Sequence, residues 1–499
     1  MECVLGFSIS KDEKKVQTAT FEVPSSCLAI CFLHDIPDQL ALLVNIIVED
    51  PGGKIRFQKQ LGYSERVIGL GKTYLDTTIG GIPGAIEAGT WTVKVILALE
   101  YVQKYFTDGK TSFTITVTDE KKPLREHLGE EIWVDQSFRY SGYNPEKNFS
   151  QEKRWYKGDF HTHTRLSDGK ETPERVMEKA HFMNLDFYTA TEHNVMHTGW
   201  PKTDVLVLPG VEITTSIGHA NLFGLQERPD FLDEVLENDD KELLREIWNK
   251  IAIWCRNRKV LFSINHPFLY LWKWEYSDIP LEYISCLEIV NDPTYAAVKE
   301  AHASEANMLA IRMADVLWAD GYRICAIGGS DSHNRLDEFY EGAVENSIAG
   351  DPATWFYMEK LCASEVYKEL KNCSACVTRY VEELKMVLYA NGEKIPLGAK
   401  LPDCTTSLEW EISIKSKEHF PKLFVLINGR KQELLLKSND GQNYIGSGAL
   451  EIPKEDYCWI RFGAESVRKE FMMYANPVTR GKTMHKLHTF EDVKAVLEI

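Results

Sequence analysis

The sequence predicts an α/β protein in which a central domain of alternating strands and helices lies between two β-sandwich domains. Apolar, strand-like runs alternate with helix-like stretches between residues 155 and 340, whereas both ends of the chain carry short strand-like runs separated by turn residues. The length of 499 residues leaves room for about three domains of roughly 150 residues each. These observations divide the chain into residues 1–120, a linker at 121–155, a central domain at 156–376 and a C-terminal domain with its tail at 377–499.

The first 120 residues are predicted to form a β-sandwich. Their short β-type runs are broken by Pro-Asp, Pro-Gly-Gly and Asp-Gly turns. The runs are Thr18–Val23, Leu28–Phe32, Leu40–Val48, Lys54–Leu61, Thr90–Leu99 and Ser112–Thr118. A polar connector with several aromatic residues then leads into the central domain.

The central domain alternates between strands and helices, which favours a parallel sheet with crossover helices. Helical patterns cover Glu174–Asn184, Asp240–Asn257 and Glu305–Asp320, and Pro173 after Thr172 is typical of a helix start. Several such units close into a barrel or pack as a layered α/β domain. In either arrangement we expect the functional side chains at the carboxyl ends of the strands.

The C-terminal domain returns to alternating strand patterns from about Val377 to Val478. Asn-Gly turns occur at Asn391-Gly392 and Asn428-Gly429, and this dipeptide is typical of β-hairpins. A second β-sandwich is therefore expected after the central domain.

The segment from Asp159 to Gly169 carries a potential metal-binding motif. If it leaves a strand, His161 and His163 lie two positions apart and project to one face, where two imidazoles can chelate one ion. Asp168 follows on a glycine-terminated turn that can fold back toward the same site. Alone, the motif is equally compatible with hydrogen-bonded histidines of a core or surface.

Further ligand-type residues follow in order, each at the end of an apolar, strand-like run. Nine of the chain's 14 histidines lie between residues 155 and 340. The additional candidates are His193, Glu212, His219, His266, Asp331 and His333. Because seven positions separate Glu212 from His219, a continuous strand would point them to opposite faces, so a turn near Ser216–Gly218 is required.

The ordered motifs resemble those of the PHP (polymerase and histidinol phosphatase) superfamily of metal-dependent phosphoesterases. They read His-x-His, Ser-Asp-Gly, Thr-Glu-His-Asn, Gly-Val-Glu, Asn-His-Pro and Gly-Ser-Asp-Ser-His, and they span roughly residues 155 to 340. Within the superfamily the chain most resembles the multidomain CehA/McbA-like branch, and Gly398–Pro402 and Tyr474–Pro477 resemble the tail of that branch. The resemblance implies a distorted (β/α)7 barrel with two or three divalent metal ions at the carboxyl ends of its strands.

The resemblance also implies how the nine ligand candidates divide among the ions. It places His161, His163, Glu212 and Asp331 around a first ion, Glu212 with His219 and His266 around a second, and Asp168, His193 and His333 around a third. Imidazole and carboxylate ligands without cysteine suit zinc, manganese or iron. The superfamily often has Asp where this chain has Glu192, which leaves the role of Glu192 open.

Four residues are candidates for catalysis at such a centre. Asp331 is the candidate proton acceptor, with plain metal ligation as the alternative, and His193 or His333 can protonate a leaving group. Arg165 lies inside the first motif and can grip a phosphate through its planar donor fork, or it can be a solvated loop residue.

The favoured function is a phosphoesterase (EC 3.1 type) that hydrolyses a small phosphorylated metabolite with a metal-activated water. The runner-up is an ester, carbamate or amide hydrolase that uses the same metals. A catalytically inactive binding protein is the alternative outside the enzymes.

Charge and targeting patterns exclude several partners. A net charge of −17 disfavours binding to a phosphate backbone, so we expect a small-molecule substrate and no nucleic acid. No run approaches the length of about 18 apolar residues that a membrane span needs, and the N-terminus lacks a signal-peptide pattern. These features, together with 11 scattered cysteines, predict a cytoplasmic protein with reduced thiols and leave its oligomeric state open.

An alternating aromatic segment follows His266-Pro267. Tyr270, Trp272, Trp274 and Tyr276 fall on one side if the segment is extended. They either stack on a ligand at the mouth of the site or anchor one domain against another.

Overall fold

The computed structural model describes residues 1–106, 109–417 and 419–499. The strands of the N-terminal region are β1 (Glu2–Ile9), β2 (Val16–Val23), β3 (Ile30–His34), β4 (Val44–Glu49), β5 (Ile55–Gln60), β6 (Val67–Leu70), β7 (Gly89–Leu97) and β8 (Thr111–Thr118). Its helices are α1 (Asp38–Ala41), α2 (Leu99–Tyr105) and a short 3-10 helix at Tyr74–Asp76.

These strands form two antiparallel sheets that share one apolar core. The sheet orders are β1-β8-β3-β6 and β2-β7-β4-β5. Alternate residues point inward, as Leu5, Phe7 and Ile9 do on β1 and Trp91 and Val93 do on β7, and all five belong to the same buried cluster. Because β1 and β7 lie in different sheets, the sheets pack face to face, and the predicted N-terminal β-sandwich is confirmed.

The central region contains strands β9 to β19 and helices α3 to α7. The strands are β9 (Glu131–Ile132), β10 (Arg154–Asp159), β11 (Phe187–Ala190), β12 (Gly199–Trp200), β13 (Leu206–Thr215), β14 (Gly218–Phe223), β15 (Leu261–Ile264), β16 (Cys286–Asn291), β17 (Cys325–Gly329), β18 (Ala353–Met358) and β19 (Cys376–Thr378). The helices are α3 (Pro173–Phe182), α4 (Phe231–Glu237), α5 (Lys241–Arg258), α6 (Ala303–Ala319) and α7 (Ala363–Asn372), with 3-10 helices at Leu281–Tyr283, Pro293–Ala297 and Lys299–Ala301.

The helices begin where their capping residues predict. Thr172 is the residue before α3, and Pro173 occupies its first turn. Asp240 precedes α5, and its side chain accepts a hydrogen bond from the backbone N–H of Leu243, which satisfies one free donor of the helix end. Ile247 and Ile251 on α5 are buried, so the helix packs its apolar face on the sheet side.

The central sheet is mixed, which corrects the prediction of a purely parallel sheet. Its order is β17-β16-β15-β14-β13-β11-β10-β18-β19. The pairs β10/β11, β11/β13, β15/β16 and β16/β17 are parallel, whereas β13/β14, β14/β15 and β10/β18 are antiparallel. The physical reason is the short turn between Thr215 and Gly218, because a two-residue connection can only join antiparallel strands.

The pairing that the structure describes does not close this sheet into a barrel. Thr162 and Ser332, which follow β10 and β17, form an isolated parallel bridge between the two ends of the βα array. What is established is an α/β region built on a mixed sheet, with the residues that follow β10 and β17 held side by side.

The C-terminal region is again rich in strands. They are β20 (Glu383–Ala390), β21 (Glu393–Ile395), β22 (Lys400–Leu401), β23 (Ser407–Lys415), β24 (Pro421–Ile427), β25 (Arg430–Glu433), β26 (Lys437–Ser438), β27 (Asn443–Glu451), β28 (Tyr457–Ser466), β29 (Phe471–Ala475) and β30 (Val478–Gly481), followed by helix α8 (Phe490–Leu497).

The central sheet continues into this region without a break. The strand β19 pairs with β18 on one side and with β29 on the other, so the expected boundary at residue 376 falls within a strand. The five-stranded sheet β21-β20-β23-β27-β26 shares a buried cluster with β28 and β29. The C-terminal sandwich is thus joined to the central region through one continuous sheet.

The N-terminal sandwich is docked on the central region by backbone and side-chain hydrogen bonds. Gln60 N–H donates to the carbonyl of Leu166 at 3.1 Å, and Gln58 Nε2 donates to the carbonyl of Met196 at 2.9 Å. Both acceptors lie on loops that follow central strands, so this docking places the sandwich beside the strand ends. No helix among the described residues has the length and apolar character that crossing a membrane requires.

Candidate metal centre

The first two candidate ligands directly follow β10. Phe160 packs its ring against Phe187, Phe223 and Phe356 in an apolar cluster. This burial fixes the backbone, so that the rings of His161 and His163 come within 5.2 Å of each other. Both histidines are buried.

The fold brings all nine predicted ligand residues together. They form four overlapping groups in which the potential ligand atoms lie within 4.8 Å of one another. The groups are His161/His163/Glu212, His161/His266/Asp331, Glu212/His219/His266 and His163/Asp168/His193/His333. The third group has the composition expected for the second ion, and the fourth contains the three residues expected for the third ion together with His163.

The distances between ligand atoms fit shared ions. His163 Nε2 lies 3.0 Å from Asp331 Oδ1, and His161 Nε2 lies 3.3 Å from both Asp331 Oδ1 and Glu212 Oε1. Ligands bound at about 2.1 Å in a tetrahedral site are roughly 3.4 Å apart. The side chains are therefore spaced as ligands of common ions would be.

Several of these atoms are buried without a hydrogen-bond partner. They are His161 Nε2, His163 Nε2, Glu212 Oε2 and Asp331 Oδ1. Leaving a buried polar atom unpaired costs about 1–3 kcal/mol, and more for a charged group. Their convergence on one another makes a divalent cation the natural partner for all four, and the imidazole and carboxylate donors fit zinc, manganese or iron.

The three carboxylates of the cluster have pKa values below the usual range. Burial raises the pKa of Glu212, but the neighbouring charges of His161 and His193 outweigh burial and hold it well below its usual value. The same balance holds the pKa of Asp331 and Asp168 well below the usual range, with His161 and His193 respectively as the strongest opposing charges. The same carboxylates outweigh burial and hold the pKa of His161 and His193 well above the usual value, so carboxylate and imidazolium groups stabilise one another in the cluster.

His219 reaches the cluster because β13 and β14 form a hairpin. Gly218, at φ +134°, opens β14, and the register pairs Thr214 with His219. The hairpin turns the chain back, so that His219 Nδ1 lies 3.2 Å from Glu212 Oε1. The turn that the spacing requires is present.

Glu288 was not identified from the sequence, yet it supports the centre directly. Its Oε1 lies 3.0 Å from His161 Nδ1, and its Oε2 accepts hydrogen bonds from the backbone N–H of His266 at 2.7 Å and from Asn291 Nδ2 at 3.1 Å. A carboxylate on Nδ1 fixes the histidine tautomer and leaves Nε2 free for a metal. The available signal was a lone acidic residue inside the apolar run of β16.

Glu192 has a structural role. Its carboxylate accepts hydrogen bonds from Thr164 N at 3.0 Å, from Ser167 Oγ at 2.5 Å and from His197 Nε2 at 2.8 Å. Burial raises the pKa of Glu192, but hydrogen bonding and the charge of His197 outweigh it and lower the pKa to about 2. Glu192 thus holds the loop between His163 and Asp168 in place.

Two candidate ligands have left-handed backbone conformations. His266 has φ +26° and Asp331 has φ +52°. Such conformations cost on the order of 1–3 kcal/mol each and persist only where the surroundings enforce them. Here Asp331 N–H donates to the carbonyl of His161 at 2.8 Å, while Glu288 holds His266 N–H.

Arg165 is not brought to the ligand cluster. Its Nη1 donates to Glu126 Oε1 at 2.6 Å, and its Nε donates to the carbonyl of Lys170 at 3.0 Å. Glu126 also pairs with the buried Lys59, at 3.3 Å. Arg165 does not line the cavity described below, and two of its donor atoms are bound to Glu126 and Lys170, so its expected grip on a substrate phosphate stays a prediction.

A cavity of about 480 Å³ opens onto the cluster. Its lining includes Asp168, His193, His219, His266, Asp331 and His333. The remaining candidates, His161, His163 and Glu212, lie behind this lining and are fully buried. A small molecule in the cavity would therefore meet one side of the cluster.

The four alternating aromatic residues have different surroundings. Trp274 and Tyr276 are buried in the central core, and Trp272 lines the cavity. Tyr270 is 61% exposed.

Comparison with known proteins gives little support for assigning a family or a function. No family model matches the chain, and no curated protein matches it. An amidohydrolase from Chromobacterium violaceum, solved with bound sulfate and no metal, is similar at 14% sequence identity over 35% of this chain and 87% of that chain. The TM-score of 0.22 is too low to carry a conclusion about fold or activity, so the geometry of the site remains the basis for its function.

Proposed function

We propose that this protein is a metal-dependent phosphoesterase that hydrolyses a small phosphate ester. The observation that carries the proposal is the convergence of buried, unpartnered ligand atoms from His161, His163, Glu212 and Asp331 at the inner end of a ligand-sized cavity. The order of the motifs supports placing the chain in the PHP superfamily, in its CehA/McbA-like branch, with the corresponding barrel. Two or three zinc, manganese or iron ions are the proposed cofactors.

The charge balance of the centre favours an anionic substrate. The three carboxylates of the cluster carry three negative charges. Together with the Glu288 carboxylate, which contacts His161, the centre has four carboxylates, so two divalent ions would balance them and three would leave the loaded site positive. A net positive charge inside a buried site attracts a phosphate ester and stabilises the charge that develops during its hydrolysis.

Divalent ions in this centre would supply a water of lowered pKa and neutralise negative charge on the phosphoryl oxygens. Asp331 is the proposed proton acceptor: its Oδ1 lies 3.0 Å from His163 Nε2, and its Oδ2 accepts a hydrogen bond from Asn291 Nδ2 at 3.3 Å. His333 Nδ1 donates to the carbonyl of Asp331 at 2.7 Å, which turns Nε2 toward Asp168. His193 and His333 are the candidates for protonating the leaving group.

A second reaction class is favoured by a different observation. Among the described residues that line the cavity, Lys15 is the single lysine or arginine, and it is paired with Asp239. A phosphate would then be held by the ions alone. A neutral carboxylic ester, carbamate or amide needs no cationic side chain, so hydrolysis of one of these is the second candidate.

The test begins with metal content. Protein purified after growth with added zinc, manganese or iron is expected to hold two or three ions per chain. His161→Ala and Glu212→Ala should lose ions and at least about a hundredfold in turnover, since even outer partners of metal ligands are worth 10- to 100-fold. The exposed His181 on α3 gives the matched control, because His181→Ala removes an imidazole outside the cluster.

The substrate class is decided by comparing phosphomonoesters, phosphodiesters, carboxylic esters, carbamates and amides. Phosphoester turnover that depends on the bound ions supports the first candidate, and turnover of only the neutral substrates supports the second. Less than one ion per chain in the wild-type protein would refute both. A loaded protein without turnover on any class would favour a binding protein.

A further inference from the structure

The N-terminal sandwich contributes an apolar surface to the cavity that contains the candidate metal centre. Leu42, Leu43, Ile96 and Leu97 line the cavity, and we call these four residues the apolar wall. Leu42 and Leu43 directly follow α1 and are partly exposed, whereas Ile96 and Leu97 end β7 and are fully buried. None of the four comes from the central region that carries the ligands. The cavity is therefore completed by two domains.

The apolar wall is held rigidly. Gln60 Nε2 donates to the carbonyl of Leu42 at 2.7 Å, and Ala98 N–H donates to the carbonyl of Leu43 at 2.8 Å. Ile96 packs in a buried cluster with Leu236 of α4, which joins the sandwich to the central region beside the cavity. A preformed surface of this kind binds a ligand without a large ordering cost.

Leu42 differs from its neighbour Leu43 because it does not pack in an apolar cluster. It is half-buried and belongs to none of the described apolar clusters, whereas Leu43 packs against the sandwich core. The side chain of Leu42 thus faces the cavity without supporting the fold. Covering the exposed part of such a leucine with an apolar ligand stabilises the complex.

The charges around the cavity disfavour a second anionic group on the ligand. Glu100, Asp239 and Asp292 are carboxylates of the lining, and the ammonium of Lys15 is paired with Asp239. Away from the metal centre, the described lining therefore offers no unpaired cation to an anion. A neutral, apolar group fits this part of the cavity best.

We propose that the apolar wall binds the neutral, apolar part of the substrate, an aryl or branched alkyl group, and that the N-terminal sandwich thereby determines substrate specificity. This inference rests on the proposed hydrolase function, because the bound molecule is a substrate only if the protein hydrolyses it. The cavity volume of about 480 Å³ lies within the range of roughly 300–1,000 Å³ that pockets for small organic ligands occupy. One end of such a molecule would reach the metal centre while the other contacts Leu42.

Ligand binding tests the wall without requiring turnover. The probes are phenol, 4-ethylphenol and 4-butylphenol, titrated by calorimetry into the full-length, metal-loaded protein. Affinity is expected to rise about fourfold for each added methylene, as burial of apolar surface predicts. Leu42→Asn should weaken 4-butylphenol binding about tenfold and leave phenol nearly unchanged.

Leu28→Asn is the matched control, because Leu28 lies in the same domain and is 84% exposed. Leu42→Met should retain the chain-length dependence, since it conserves apolar volume. Equal affinity for all three phenols in the wild-type protein, or an unchanged dependence in Leu42→Asn, would overturn the proposal.

Kinetics then separate this inference from the proposed function. On esters of the same three phenols, Leu42→Asn should raise KM for the 4-butylphenyl ester about tenfold with little change in kcat. If the esters are hydrolysed and Leu42→Asn leaves KM unchanged, the role of the apolar wall is refuted while the hydrolase function stands. If no ester is hydrolysed but affinity still rises with the length of the alkyl group on the phenol, the hydrolase function is refuted and the cavity remains a site for apolar ligands.

Discussion

At the scale of single residues, the candidate ligands depend on partners that orient them. Glu288 holds the Nδ1 atom of His161, and Asn265 Nδ2 donates to Glu212 Oε1 at 2.9 Å. Each partner directs the remaining atom of its ligand toward the cluster. Replacing such a partner changes metal affinity while the ligand itself is still present.

Glu288→Gln is expected to weaken metal binding about 10- to 100-fold. The amide no longer carries the charge that fixes the His161 tautomer, although its shape is conserved. Competition titration with a chromogenic chelator measures the affinity. Glu282→Gln is the control, because Glu282 is close in sequence and exposed, and an equal loss in both variants would contradict the assigned role.

Arg165→Ala is expected to reduce stability more than activity. The substitution removes a contact of the buried Glu126, but Lys59 still pairs with that carboxylate, so we expect a loss of about 1–2 kcal/mol in the free energy of unfolding. Urea denaturation measures this loss, with the exposed Arg125→Ala as control. A drop in kcat/KM of more than about tenfold on a phosphoester, at unchanged metal content, would instead show that Arg165 contacts substrate.

At the scale of elements, the hairpin β13–β14 decides whether His219 can join the cluster. Gly218 lies at the start of β14, and a Cβ atom there would come within 2.6 Å of Trp274 Cε3. The close approach of Trp274 and the positive φ of Gly218 both require glycine. One glycine therefore links the packing of an aromatic residue to the position of a candidate ligand.

Gly218→Ala is expected to destabilise the protein by about 1–3 kcal/mol and to weaken binding of the ion next to His219. The hairpin must shift to relieve the clash, and His219 moves with it. Gly392→Ala is the control for backbone strain alone, because Gly392 has φ +80° and open space around its Cα. If Gly218→Ala and Gly392→Ala both retain the metal content of the wild type, the proposed link between Gly218 and the position of His219 is contradicted.

At the scale of the whole molecule, the N-terminal sandwich carries a buried histidine remote from the metal centre. His34 lies among apolar side chains such as Phe32, Ile68 and Ile115. Burial lowers the pKa of His34 to about 4. Since the unfolded chain has the ordinary pKa of about 6.5, the unfolded state binds more protons than the folded state between pH 6.5 and 4.

The contribution of His34 to the free energy of unfolding should therefore be constant above about pH 6.5 and should fall as the pH decreases toward 4. Between pH 7 and pH 5 this single group is expected to remove about 2 kcal/mol from the free energy of unfolding. The measurement is urea denaturation at both pH values for the wild type and for His34→Leu, in which the pH-dependent loss should be smaller by that amount. An identical pH dependence in the two proteins would exclude the effect, and His181→Leu on the surface is the control.

The sequence by itself determined the elements and the candidates. Apolar alternation and turn residues located the strands of the N-terminal sandwich, capping residues located α3 and α5, and the ordered motifs identified His161, His163 and the other ligand candidates that the fold brings together. These features are local, because each depends on residues within a few positions of one another. The same local reasoning required a turn before His219.

Only the tertiary structure decided what those candidates face. Strand pairing made the central sheet mixed, and packing across domains assigned Arg165 to Glu126 and placed Glu288 behind His161. The cavity itself joins Leu42 to His193, which are 151 positions apart. Contacts of this kind depend on which surfaces meet after folding, and no periodicity or spacing within one segment encodes them.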